Sequence, residues 1–160
     1  MAEIRASATT IGFASLRASY LAVRTSLERV PFSLIQLAMR IAIGFVFFNS
    51  GMLKARSFEF AVKLFADEYR LPLLDPEIAA RLALTVEIVV PLFLFAGLAT
   101  RLATLPLLAM VGVIQVLVYP QAWVEHLLWT SVLLVLLTRG AGAISLDQVI
   151  ERRLAARPAL

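Results

Sequence analysis

Apolar residues run along this chain in four long stretches, and the few polar positions inside them recur at helical intervals. The first stretch covers about 32–53. Within it Arg40, Gly44, Phe47, Gly51 and Lys54 are spaced 4, 3, 4 and 3. At about 100° per residue these five share one helical face. Further stretches cover about 78–97, 102–119 and 121–139. Each approaches the roughly 20 residues that cross a bilayer as a helix. Residues 102–124 carry no charge at all.

The breaks between the stretches carry start and stop signals. Asp75-Pro76-Glu77 opens the second span with a capping side chain, a proline at the first helical position and an acid in the first turn. Pro91 predicts a kink in that span, Gly97 ends it, and Thr100 is expected to cap the helix that follows. In the polar connection 55–77, Phe58, Val62, Phe65 and Tyr69 are spaced 4, 3 and 4, which predicts a short helix on the membrane surface. Ser145-Leu-Asp-Gln148 reads as a capping box that opens a tail helix. In residues 1–30, Ile4, Ile11, Leu16, Tyr20, Val23, Leu27 and Val30 recur at mostly helical intervals with basic residues between them. That pattern predicts an amphipathic segment in the membrane interface. The expected fold is therefore all-α: an integral membrane four-helix bundle over 31–150, an interfacial segment over 1–30, and a cytoplasmic tail over 151–160.

Composition agrees with a membrane bundle. Of 160 residues, 61% are hydrophobic and 16% charged, against roughly 25% charged in soluble domains. The net charge of +4 does not call for a nucleic-acid partner, because membrane proteins concentrate Lys and Arg in cytoplasmic loops. With both termini cytoplasmic, nine basic residues fall inside and five outside, so that orientation, in an inner membrane, is expected. There is no cysteine and one histidine, which leaves no disulfide, no thiol chemistry, no self-contained zinc site and no pair of haem ligands. Glycine-rich phosphate loops and nucleophile elbows are also missing from the sequence.

Polar residues inside spans are the candidates for chemistry. An arginine in hydrocarbon is costly and calls for a partner. Glu87 is the acid within the second span, so Arg40 and Glu87 are expected to pair. Gln115 and His126 fall in the outer half, and Lys54 at the outer rim. Arg40, Glu87, His126, Gln115 and Lys54 form the candidate intramembrane polar site, and Gly44, Gly51 and Gly97 the candidate packing positions. Duller roles compete with each: a structural ion pair, an interfacial histidine, glutamine as interhelical glue, a lysine snorkelling to headgroups, and Phe47 and Trp129 as core.

These residues carry a resemblance. Arg40-x3-Gly44-x2-Phe47-x3-Gly51-x2-Lys54 in a first span resembles the DoxX family of small membrane proteins. So do Leu71-Pro72, Glu87, Gly97-Leu-Ala-Thr-Arg101, His126-x2-Trp129 and Arg139-Gly-x-Gly-x-x-Ser145-Leu-Asp147. The likeness covers about 34–150. Ser50 departs from it, standing where many members carry histidine before the glycine. The resemblance implies a four-helix bacterial inner-membrane protein. Relatives include the small subunit of a thiosulfate:quinone oxidoreductase, members of oxidative-stress complexes, and neighbours of metal-handling peptide genes. The function it implies is an accessory membrane subunit of a redox system rather than a complete enzyme. Such a subunit would bind no cofactor alone, contact a quinone, and associate with lipid and with a protein partner or a second copy of itself. The alternatives are a small transporter or export helper and a structural anchor.

Overall fold

The computed structural model describes residues 16–156, which form helices and connections with no strand among them. The chain divides into two compact units, Met1–Phe32 and Ser33–Leu160. In the first, helix α1 (16–28) exposes Leu16, Tyr20, Val23 and Leu27, and Arg24 pairs with Glu28 at 2.8 Å. Ile4 and Ile11, expected on the same amphipathic face, lie outside the described residues.

The second unit is an all-α membrane bundle. Its elements are α2 (Phe32–Arg56), α3 (Phe58–Leu64), α4 (Pro76–Ala96), α5 (Thr100–Val113), α6 (Trp123–Arg139) and α7 (Leu146–Ala155). Wider π-helical turns extend α3 over Phe65–Tyr69 and α5 over Ile114–Val118. Four segments are long and apolar enough to span a membrane: Phe32–Arg56, Pro76–Ala96, Thr100–Val118 and Pro120–Arg139.

Helix α2 runs antiparallel to both α4 and α6. Gly44 and Gly51 meet Phe95 and Glu87 of α4, while Gln36 donates to the Gly140 carbonyl and the Phe47 ring meets Trp129 edge-on. Short hairpins pack α4 on α5 and α5 on α6. Ile43, Phe47, Leu94, Leu107, Val111, Leu133 and Leu136 fill the centre. Lipid is as apolar as these side chains, so close packing and interhelical hydrogen bonds hold such a bundle rather than expulsion of water. Gly51 makes that closeness possible. A Cβ there would stand 2.9 Å from Glu87 Cβ and 3.0 Å from its backbone carbon.

Asp75 caps α4 as the sequence predicts, accepting from the Glu77 and Ile78 amides. At the other end Gly97, with φ +64°, turns the chain out, and the Gly97 and Leu98 amides bond back to Leu94 and Phe93. The start of α5 differs from expectation. Thr100 is the first helical residue, its buried hydroxyl is unbonded, and Ala99 occupies the cap position. The cap comes from a distant part of the chain: the Asp147 carboxylate accepts from the Ala99 and Thr100 amides at 2.6 and 3.0 Å. Ser145 accepts from the Gln148 amide and so caps α7. The short helix α3 turns its apolar face onto the start of α4, where Ala61 and Phe65 are buried with Ala79 and Ala80.

Candidate functional site

The bundle holds a cavity of about 580 Å³ between the four spans, at the end where α4 begins. Val46 and Phe47 of α2, Leu82, Ala83 and Val86 of α4, and Pro106, Met110 and Val113 of α5 are among the apolar residues of its wall. Trp129 of α6 completes an aromatic side, with its ring 5.8 Å from Phe47 and 5.4 Å from His126.

Besides Tyr69, Tyr119 and the exposed Glu125, polar groups line this apolar chamber at two places. At the first, Lys54 Nζ lies 2.9 and 2.8 Å from the two carboxylate oxygens of Glu87 and 2.9 Å from Ser50 Oγ. Ser50 in turn donates to Glu87 at 3.3 Å. Both charged side chains are largely buried, at 11% and 5% exposure. Lys54 sits one turn beyond Gly51, and the close α2–α4 approach at that glycine brings the ammonium within reach of Glu87. Lys54 thus turns inward as an ion pair instead of taking the competing role of snorkelling to headgroups.

The second place is His126, buried in the first turn of α6. Its Nδ1 lies 2.7 Å from Gln115 Oε1, and Gln115 Nε2 donates to the Pro120 carbonyl at 2.8 Å. Gln115 sits in the π-helical turn that ends α5, and it reaches His126 across the α5–α6 connection without lining the cavity itself.

Two tyrosines outside the spans also line the chamber. Tyr69, the last residue of one π-helical turn, and Tyr119, the residue after the other, meet edge-on with centroids 5.9 Å apart. Tyr119 donates to Glu68, and that hydrogen bond raises its phenol above the ordinary tyrosine range. Burial raises the Tyr69 phenol.

Arg40 is not part of this site, and the expected Arg40–Glu87 pair does not form. Arg40 is wholly buried and donates to the carbonyls of Leu94, at 3.2 Å, and Ile144. Asp147 is the acid acting on it electrostatically. The reason is axial level. Gly51, not Arg40, faces Glu87. Arg40 lies eleven residues earlier on α2, roughly 16 Å at 1.5 Å per residue. The stripe spacing correctly selects one face, but Lys54 is the member of it that meets the acid. Gly97 belongs with Arg40. A Cβ there would collide with the guanidinium and stand 2.6 Å from Ser145 Cβ, so the 97–101 and 139–147 segments interlock around this arginine. Gln36 closes the same end by donating to Arg139 and Gly140 carbonyls at 3.2 and 2.9 Å. Sequence reading left Gln36 unmentioned and singled out Ser50 only as a departure from the family pattern, without a role. Both are polar residues inside an apolar span, within one helical turn of a named stripe position, and that signal was available.

No curated protein and no solved structure is significantly similar to the chain. The family model that does match, DoxX, covers residues 35–120, more than half of the 160, and so this membrane protein belongs to the DoxX family.

Proposed function

We propose that this chain is an accessory membrane subunit of a quinone-linked redox system and that the cavity receives the quinone ring. The observation that carries the reading is the chamber itself: about 580 Å³, mostly apolar, with polar groups converging at Glu87 and His126. Small-molecule sites have this make-up and run from roughly 300 to 1,000 Å³. Phe47 and Trp129 give a flat ring an aromatic wall. In this proposal the electron-carrying centres belong to a protein partner. The nine-to-five basic count supports cytoplasmic termini, and in that orientation the cavity faces the outer side of the inner membrane.

Transport has less support. Ile43, Leu94, Leu107, Leu133 and Leu136 are almost completely buried and pack the bundle between the cavity and Arg40, so a continuous polar path would have to break the core.

The test is a titration of a short-chain quinone against tryptophan fluorescence, with the full chain in lipid nanodiscs. A Trp123→Phe background leaves Trp129 as the reporter. Saturable quenching is expected. If neither saturable quenching nor a copurifying oxidoreductase is found, the reading fails.

A further inference from the structure

The two polar places in the cavity differ in what they can still offer a ligand. An ammonium has three donors. Those of Lys54 face Ser50 Oγ and both oxygens of Glu87, all within 2.9 Å. The pair is neutral as a unit and its cation has no donor to spare. A ligand that took Lys54 would leave a buried carboxylate without its counter-ion, at high cost. The cavity is therefore poorly suited to an anion.

His126 is different. The Pro120 carbonyl can only accept, so the Gln115 group facing it at 2.8 Å must be the NH₂. That turns Gln115 Oε1, also an acceptor, towards His126 Nδ1 at 2.7 Å. Nδ1 must then carry the hydrogen and donate. Rotating the glutamine amide would set oxygen against oxygen at Pro120 and is unfavourable. In a neutral imidazole the other nitrogen, Nε2, is then a bare acceptor. It makes no hydrogen bond to any described residue, although His126 is only 5% exposed and lines the cavity. Unlike the sealed, unpaired Arg40 Nε and Thr100 Oγ1, Nε2 is open to the cavity, so a ligand hydroxyl can reach it and donate to it.

We infer that the cavity binds an uncharged ring compound bearing a hydroxyl group, whose O–H donates to His126 Nε2, and so selects a hydroquinone over the matching quinone. The quinone half of this inference rests on the function proposed above; the hydroxyl half rests on Gln115, Pro120 and His126. A quinone presents carbonyl oxygens, which accept, and would meet acceptor with acceptor at Nε2. Its reduced form presents two hydroxyls, which donate.

The chain has one histidine, so isotope-labelled histidine yields a single imidazole whose nitrogen shifts report the tautomer directly. The Nδ1–H form is expected in the unliganded full chain in nanodiscs. Anaerobic titration should then show a short-chain ubiquinol binding about tenfold more tightly than the matching ubiquinone, the scale of one hydrogen bond. His126→Phe should remove the preference. Gln115→Leu keeps the histidine but frees its tautomer, and should shrink the preference even if His126→Phe misfolds. An Nε2–H or doubly protonated ring, equal affinities, or tighter quinone binding overturns the inference while leaving quinone binding intact. If neither form binds, the quinone reading falls, and phenol decides the rest. A phenol-induced shift at Nε2 upholds the hydroxyl class, and no shift overturns it.

Discussion

Lys54 of α2 and Glu87 of α4 form a buried ion pair at 2.8 Å, directly beside the point where Gly51 lets the two helices touch. Removing one member leaves the other charged and nearly dry. Lys54→Met should destabilise the folded bundle by about 3–5 kcal/mol. Lys54→Met with Glu87→Leu should recover most of that loss, because no uncompensated charge remains. Thermal unfolding in detergent, followed by size-exclusion recovery, measures both. A double variant no better than Lys54→Met would contradict the pairing.

Arg40 and Glu87 should behave independently. They share no hydrogen-bond partner, and Arg40 is held by the Leu94 and Ile144 carbonyls. The stability losses of Arg40→Leu and Glu87→Leu should add within about 0.5 kcal/mol in a double-mutant cycle. A coupling energy well above that would restore the direct pair suggested by the sequence.

Asp147 should control the start of α5 from 47 and 48 residues away, since its carboxylate takes the Thr100 and Ala99 amides. Asp147→Ala should cost about 1–2 kcal/mol, the worth of a strong N-terminal cap. Amide hydrogen exchange should accelerate at Ala99 and Thr100 and stay unchanged around Asp75, which caps α4 separately. Uniform acceleration at both helix starts would argue for general loosening instead.

Tyr119 provides a pH signature outside the spans. Its hydrogen bond to Glu68 raises the folded-state phenol above its ordinary value, which for tyrosine is about 10. A raised pKa means that the neutral phenol is favoured by folding. The associated stability is fully present below about pH 10 and is lost as pH rises through the folded-state value. Ultraviolet titration of the phenolate should show a late transition that Tyr119→Phe removes. Glu68→Gln should move that transition to lower pH. A Tyr119 that ionises at the ordinary value would show that the bond is not maintained.

Much of the architecture is legible in the sequence. Four apolar runs of near-spanning length require helices, because lipid leaves backbone amides no other partner. Spacing of 4, 3, 4 and 3 places Arg40, Gly44, Phe47, Gly51 and Lys54 on one face by helical geometry alone, and all except the partly exposed Lys54 are buried. Asp75 and Gly97 end their helices through contacts within a few residues, which local sequence dictates.

Axial level was not legible. Angle around a helix depends on residue number, but height relative to a neighbour depends on how two helices slide and lock. The Gly51–Glu87 contact decides that Lys54, and not Arg40, reaches the acid. Likewise Thr100 looked like a cap because caps are usually local. The amides at the start of α5 are instead taken by Asp147, from a segment brought there only after α6 returns along the bundle. His126 and Gln115 could each be picked out as polar residues in apolar runs. Their hydrogen bond, and the open nitrogen it leaves in the cavity, exist because α5 ends in a π-helical turn that aims Gln115 at α6. Local chemistry along the chain determined which residues are helical and which face they occupy; packing between distant segments decided which of them meet.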